Sequence, residues 1–323
     1  MDLKPNADQQ QLIDAFAGLY ADLASTDRVS AAEPSGHDAA LWQQLVAIGA
    51  VEMALPDSGA GLIELALVAE QHGRYLAPAP MIEAQVAARL LAQVGGEPSD
   101  RLTTLAVRPA VGGRAELVPA GAVADDALML DGDRLLLVPL TGRATAVANL
   151  GCLPLADVDD IGGGAVLATG APAVSAFEAA VDEWRVLTAA ALSGLAAAAL
   201  EIGVAYVKER TAFDRPLGAF QGVAHRLADR ASEVDGAQLL AREAAWAHGE
   251  EPERFAELAA MALGFAAETA ADTTWHALHF HGGYGFMLEY PIQMYFRRAR
   301  TWGAVLESPA ESYRRVTDVR GAA

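Results

Sequence analysis

The sequence predicts a mainly α-helical fold with a small β domain in the middle. Apolar residues recur at three-to-four-residue spacing at both ends of the chain, whereas the central stretch has short apolar runs bounded by turn residues. Hydrophobic residues make up 53% of the 323 residues, which is enough for more than one core. We expect three domains: an N-terminal helical domain over residues 1–98, a β domain over 99–177 and a C-terminal helical bundle over 178–323.

In the first region, helical patterns such as "DAALWQQLVAIGAVEMAL" and "LIELALVAEQHGRYLA" are separated by loops rich in Gly and Pro, among them "LPDSGAG" and "LAPAP". In the central region, Asp131 and Gly132 lie between two Leu-rich runs. A tight hairpin turn needs residues that tolerate positive φ, so this pair predicts a β-hairpin.

The last region predicts helices over roughly 178–209, 219–248, 252–279 and 290–318. The stretch from Val186 to Val207 is long enough to cross a bilayer. It is mostly Ala with an interior Glu201, so we interpret it as a buried bundle helix and expect no membrane span.

The net charge and the cysteine content disfavour several classes of function. A formal net charge of -19 disfavours binding to nucleic acid or anionic lipid, which needs clustered Lys and Arg. Cys152 is the single cysteine, so the chain forms neither an internal disulfide nor a thiolate metal cluster. The N-terminus has no apolar secretory core, and we expect a cytoplasmic protein.

The stretch "ERTAFDRPLGAFQGVAHRLADR" connects two of the predicted helices and carries candidate nucleotide-binding residues. Arg210 offers a planar fork for pyrophosphate, Phe213 offers a surface for stacking an adenine ring, and Gln221 can bond a base or ribose edge. A solvated loop is the alternative interpretation.

The stretch "HFHGGYGFMLEYP" raises three possibilities: a metal site, a phosphate cradle or a turn between helices. Glycines let backbone N–H groups approach an anion, and here they are Gly282, Gly283 and Gly285. The neighbouring histidines lack a carboxylate that would complete a ligand set, so we expect no metal.

Taken together and in order, these motifs resemble the acyl-CoA dehydrogenase family over nearly the whole chain. "LWQQLVAIGAVEMALPDSGAG", "LAPAP", the two stretches above and "LESPAESYRR" follow the family's motifs. The resemblance implies a helical domain, a central β domain and a C-terminal four-helix bundle that enclose FAD, with dimers that pair into tetramers. It also implies an enzyme that dehydrogenates a CoA thioester.

The resemblance assigns one half of an FAD site to this chain. It implies that Arg210, Phe213 and Gln221, with the backbone of His281 to Gly285, hold the adenosine and pyrophosphate of an FAD that reaches across from a neighbouring subunit. The flavin ring in the family rests on a "TEP...GSD"-like stretch of the β domain. This chain lacks such a stretch between Pro98 and Phe177, and its β domain is reduced.

The family's catalytic base is a Glu in a "YEGT" motif, and Glu307 in "LESPAES" occupies that position. Ser308 and Pro309 replace the Gly-Thr that helps to seat the flavin, so Glu307 is either the base or a vestige. The family's alternative base position falls on Trp184, which offers no carboxylate, and Arg185 next to it is a candidate substrate-binding residue.

These departures predict a half-site subunit that completes FAD sites in a larger homologous partner. Short chains of this kind resemble the smaller subunits of bacterial α2β2 enzymes of steroid catabolism. The expected substrate is an acyl-CoA, and an electron-transfer flavoprotein is the expected acceptor. Two alternatives stay open: a complete homo-oligomeric acyl-CoA dehydrogenase that uses Glu307, and a non-catalytic scaffold of the same fold.

Overall fold

A computed structural model of the protein describes residues 3–96 and 101–322. The chain divides into two compact units. The helical unit comprises residues 1–26, 66–77 and 186–323, and the mixed unit comprises 27–65 and 78–185. The mainly helical fold with a small β region is confirmed, while the division into three domains stays a prediction.

The helices before the β region alternate with Gly- and Pro-containing loops, as the sequence predicts. Asn6 begins the first of them with a capping box, in which its side chain accepts from the Gln9 backbone and the Gln9 side chain accepts from the Asn6 backbone. These helices are α1 (Ala7–Leu23), α2 (Thr26–Ala32), α3 (Ala39–Ala47), α4 (Leu62–Arg74) and α5 (Met81–Gln93).

The β region lies in the mixed unit and forms two small sheets. Its strands are β1 (Thr103–Leu105), β2 (Ala115–Val118), β3 (Asp126–Asp131), β4 (Arg134–Pro139), β5 (Ala144–Ala146), β6 (Ala156–Val158) and β7 (Ala165–Thr169). One sheet has the order β1-β3-β4-β7 and the other has the order β2-β6-β5. The predicted hairpin is confirmed as β3–β4, with Asp131 opposite Arg134 and with Gly132 at a φ of 62°.

The remaining helices are longer. They are α6 (Ala171–Glu209), α7 (Gln221–Glu250), α8 (Pro252–His281), α9 (Ile292–Trp302) and α10 (Pro309–Ala322). Helix α6 starts at Ala171 instead of about 178, because Pro172 is tolerated in a first helical turn. Among the described helices, α6 alone has the length and apolar composition of a membrane span, and 78% of that window is buried inside the protein.

The prediction of one helix over 290–318 is wrong, because α9 and α10 are separate. Ser308 begins α10: its backbone N–H and hydroxyl donate to Glu311 Oε2 at 2.7 Å. Pro309 then fills the first helical position, where no backbone N–H is needed.

In the helical unit, α4 and α6 cross with their backbones in contact. A Cβ at Gly73 would lie 1.8 Å from the Ala191 carbonyl oxygen, and one at Gly194 would lie 1.9 Å from the Glu70 carbonyl oxygen. Only glycine permits this approach from both helices. The Glu70 side chain also binds Arg242 of α7 at 2.9 Å, so α4 is held to two bundle helices.

Candidate functional site

The connection between α6 and α7 is a small hairpin that exposes its tip. Its strands are β8 (Thr211–Ala212) and β9 (Arg215–Pro216), and its two-residue loop is Phe213-Asp214. Phe213 has a φ of 53° and Asp214 a φ of 61°, as a type I′ turn requires. The Phe213 side chain is 88% exposed, so its ring is open for stacking.

Beside this hairpin, α7 begins without a capping side chain. Phe220 is the N-cap residue, it makes no side-chain capping bond, and the first turn contains no acidic residue. Gln221 is the first helical residue and is exposed. The first N–H groups of a 30-residue helix therefore present partial positive charge to any anion that approaches.

Arginines add to this positive end. The exposed guanidinium of Arg210 makes no ion pair or side-chain hydrogen bond with any residue that the structure describes. The guanidinium carbon of Arg215 lies 4.0 Å from the centre of the Phe220 ring. Arg226 lies further along α7 and contacts His276 Nε2 at 3.3 Å. Although the protein has a net charge of -19, positively charged side chains cluster at this hairpin and at the start of α7.

The glycine-rich turn follows the end of α8. Gly282 has a φ of 61°. A Cβ added at Gly282 or Gly283 would lie within 4 Å of no group in the described parts of the chain, so both leave open space beside exposed backbone. Gly285 differs, because a Cβ there would lie 2.5 Å from the Leu278 carbonyl oxygen. Packing alone accounts for glycine at 285, and its place in a cofactor site stays a prediction.

Tyr206 on α6 brings the two stretches together. Its ring stacks on His281 with centroids 3.9 Å apart, and its hydroxyl donates to the His281 carbonyl oxygen at 3.4 Å. The Tyr206 carbonyl oxygen also accepts the backbone N–H of Arg210 at 2.8 Å. The hairpin that follows α6 and the glycine turn that follows α8 therefore lie at the same end of the helical unit.

His281 positions the glycine-rich turn through its ring packing and its backbone carbonyl group. Its Nδ1 lies 2.7 Å from the Ala277 carbonyl oxygen, so this nitrogen must carry a proton and donate. Burial lowers the pKa of His281, which favours the neutral ring at pH 7, although the bond to Ala277 acts in the opposite direction. In the described parts of the chain no three His, Cys, Asp or Glu side chains are grouped as a metal ion would require.

These features fit the adenosine and pyrophosphate part of FAD. The exposed ring of Phe213 and the open backbone at Gly282 and Gly283 match an aromatic base and a dianionic linker. The amide of Gln221 and the Arg210 guanidinium, which has no ion pair with a described residue, match them as well. We call this group of residues the FAD half-site.

Glu307 lies elsewhere in the helical unit. Its Oε1 accepts a hydrogen bond from the buried Ser312 hydroxyl at 2.8 Å. Ser312 packs on Gly264, where an added Cβ would lie 3.0 Å from the Ser312 Cβ. Gly264 precedes His281 by 17 residues on α8, which corresponds to roughly 25 Å along the axis. Glu307 therefore lies near Gly264 of α8, and the FAD half-site lies near His281 at the end of the same helix.

Arg185 lies in the mixed unit and is buried. Its Nη1 binds Asp182 Oδ1 at 2.6 Å, and both side chains are 6% exposed. Trp184 beside it is fully buried, and its indole N–H has no hydrogen-bond partner among the described residues. A substrate-binding role for Arg185 stays a prediction, and such a role would have to include Asp182.

Two functional features were not found from the sequence. Tyr206 precedes Arg210 by four residues, so helical periodicity could have marked them as neighbours, but its stacking on His281 joins residues 75 positions apart. The cap of α10 did have a signal, because Ser308 and Glu311 have the spacing of a capping box with Pro309 between them.

Comparisons with known proteins agree with the fold and the motifs. Residues 174–304 match the family described as Acyl-CoA dehydrogenase, C-terminal domain. The chain is 32% identical over 318 residues to the acyl-CoA dehydrogenase IpdE2 of Mycolicibacterium smegmatis, covering 96% of this chain and 97% of that protein. The chain belongs to the acyl-CoA dehydrogenase family.

Two solved structures share the fold over almost their full length. The ChsE4-ChsE5 complex of Mycobacterium tuberculosis contains a chain with a TM-score of 0.90 and 24% identity, covering 100% of both chains. A variant of the Tcur3481-Tcur3483 steroid acyl-CoA dehydrogenase contains one with a TM-score of 0.86 and 25% identity, covering 98% of both.

Proposed function

We propose that this protein is a subunit of a flavin-dependent acyl-CoA dehydrogenase that contributes the FAD half-site to a cofactor shared with a larger homologous partner. The observation that carries the proposal is that the chain keeps the half-site residues but has no "TEP...GSD"-like stretch for a flavin ring between Pro98 and Phe177. The half-site also lies roughly 25 Å along α8 from the level at which Ser312 packs beside Glu307. A cofactor whose adenosine end lies at the hairpin would need its flavin ring held by another chain.

Each half-site residue has a distinct task in this proposal. Arg210 and the uncapped start of α7 bind the pyrophosphate, because both present positive charge without a partner of their own among the described residues. Phe213 stacks on the adenine ring, Gln221 bonds the base or ribose edge, and the glycine turn supplies backbone N–H groups. Tyr206 and His281 position the two stretches by stacking on each other.

The reaction assigned to the complex is α,β-dehydrogenation of a CoA thioester. A carboxylate removes the α-proton while hydride leaves the β-carbon, and FAD accepts this hydride when it is bound. In this chain Glu307 accepts a hydrogen bond from the buried Ser312 hydroxyl, and Ser308 and Pro309 replace the Gly-Thr that helps to seat the flavin in the family. We therefore assign the base to the partner and the cofactor contacts to this chain.

The substrate and the acceptor are proposed by likeness. Both solved complexes named above contain two different chains, and one is described as a steroid enzyme, so a steroid-derived acyl-CoA is our proposed substrate class. An electron-transfer flavoprotein is the proposed acceptor, and the cytoplasm is the proposed location.

One observation favours a second candidate, a complete homo-oligomeric enzyme. Glu307 is partly buried and held by a buried hydroxyl, so its carboxylate has a fixed position, as a catalytic base needs. In that case the purified chain alone would bind FAD and reduce an electron acceptor with an acyl-CoA.

The test is the FAD content of the chain purified alone and of the chain co-produced with a longer homologue that carries a "TEP...GSD"-like segment. The proposal expects little FAD alone and about one FAD per pair of chains after co-production. Stoichiometric FAD on the chain alone supports the homo-oligomer and contradicts the proposal. A chain that stays colourless in a stable complex would instead be a scaffold.

A further inference from the structure

The tip of the β8–β9 hairpin is strained in a way that points to the function of its side chains. Both loop residues have positive φ, 53° at Phe213 and 61° at Asp214. Such turns favour Asn-Gly, Asp-Gly or Gly-Gly, and a bulky residue at positive φ is a genuine outlier. A sequence that has Phe and Asp here, where glycine would relieve the strain, indicates that a ligand uses these side chains.

The Asp214 carboxylate is exposed and has no hydrogen bond or ion pair with any part of the chain that the structure describes. Its neighbours are cationic and aromatic. Arg215 stacks over Phe220 instead of pairing with Asp214, and Arg210 also lacks an ion pair within the described residues. A carboxylate therefore stands at the tip of a site whose other groups attract anions.

The carboxylate beside these cationic and aromatic groups is relevant because an acyl-CoA dehydrogenase binds two ligands that contain adenosine diphosphate. FAD carries it with free ribose hydroxyls, whereas CoA carries an additional phosphate on the ribose 3′ position. Arg210 and Phe213 alone would accept either ligand. A carboxylate accepts hydrogen bonds from ribose hydroxyls and repels a phosphate in the same place.

We propose that Asp214 makes the half-site selective for adenosine diphosphate with free ribose hydroxyls, as in FAD, over its 3′-phosphorylated form, as in CoA. Consecutive Cα atoms are about 3.8 Å apart, so the sugar of a base stacked on Phe213 lies within reach of the next side chain. This inference rests on the proposed function, because it assigns one residue a task within the FAD half-site.

The test titrates the purified chain with ADP and with 3′-phosphoadenosine 5′-diphosphate, using ligand-observed NMR at millimolar concentrations. The wild-type chain should prefer ADP by about tenfold, as expected for a carboxylate and a phosphate dianion about 5 Å apart in water. Asp214→Asn should remove most of this preference while keeping the turn, because Asn tolerates positive φ. Raising the salt concentration should weaken the wild-type preference.

Asp229→Asn, at an exposed acid of α7, is the matched control and should leave the preference unchanged. Equal binding of the two nucleotides to the wild-type chain overturns the inference, and so does a preference that survives Asp214→Asn. The same holds if Asp214→Asn weakens only the association with a partner chain, which would make Asp214 a protein contact.

Arg210→Ala separates this inference from the proposed function. If it weakens both nucleotides equally while Asp214→Asn changes nothing, the half-site stands and Asp214 is not its selectivity residue. If neither nucleotide binds, with or without the partner, the proposed function fails together with this inference.

Discussion

At the end of the helical unit where α6 and α8 terminate, charged and aromatic side chains face solvent, whereas polar groups in the loop before α10 bond to one another. Arg210 has no ion pair there, Phe213 is 88% exposed, and α7 has no side-chain cap. In the loop, Ser308 and Glu311 cap each other and Glu307 accepts a bond from Ser312.

This difference between the two regions indicates where a ligand is expected to bind. Strained backbone lowers stability and persists where a ligand uses it, and exposed donors without a protein partner stay available to a ligand, whereas a capped helix start needs no ligand. We therefore assign cofactor binding to the first region and helix initiation to the second. Both regions share one helical framework, which includes α4, α6 and α8.

Acidification should weaken the framework first. Burial, followed by the charge of Arg298, lowers the pKa of His72 to about 3, and its Nδ1 lies 3.1 Å from the Tyr20 hydroxyl. In the unfolded chain His72 binds a proton near pH 6.5, whereas in the folded chain it stays neutral down to about pH 3. The contribution of His72 to the free energy of unfolding is therefore fully present above about pH 6.5, and it falls by about 1.4 kcal/mol per pH unit between that pH and about pH 3.

Urea unfolding at several pH values measures this slope. His72→Gln should flatten it, and an unchanged slope in that variant would show that other groups control the acid transition. FAD loss from the complex should follow unfolding and not precede it.

The two regions also differ in how far the sequence predicts them. Helices, the β region and the β3–β4 hairpin follow from local periodicity and from Gly132, and the α9–α10 break has a local signal in Ser308 and Pro309. Arg210 and Phe213 were found as candidates from residue chemistry and family resemblance.

Three features of the half-site could not be predicted. The Tyr206–His281 stack is a long-range contact, the positive φ of Phe213 contradicts its residue preference, and the missing ion pair of Arg210 among the described residues depends on the folded neighbourhood. Tertiary structure decides each of them.

Removing the α10 cap should affect stability alone. Ser308→Ala should cost about 1 kcal/mol of unfolding free energy, because the first turn loses its capping oxygen. FAD retention by the complex should stay unchanged, since the cap is far along α8 from the half-site. Ser232→Ala, within α7, is the control and should change stability little. Flavin loss in Ser308→Ala without unfolding would place the loop in a cofactor site.

Relieving the strain of the β8–β9 hairpin should change the free energy of unfolding least, and it should raise this free energy where the loss of the α10 cap lowers it. Asp214→Gly should raise the free energy of unfolding by a few tenths of a kcal/mol, because the second loop position of a type I′ turn favours Gly, although Asp tolerates positive φ better than most residues do. Asp229→Gly, in the helical interior of α7, should instead lower it by a few tenths of a kcal/mol. Destabilisation by Asp214→Gly would show that the hairpin depends on this carboxylate.

The most direct test of the half-site account measures FAD content and turnover in the complex for Arg210→Ala and Glu307→Gln side by side. Arg314→Ala, at an exposed arginine of α10, serves as the matched reference variant. We predict that Arg210→Ala lowers FAD affinity by roughly 10- to 100-fold, the loss expected for charge-assisted hydrogen bonds to pyrophosphate. Glu307→Gln and Arg314→Ala should keep both FAD and turnover. If Glu307→Gln abolishes turnover while FAD stays bound, this chain holds an active site of its own and the half-site account is wrong.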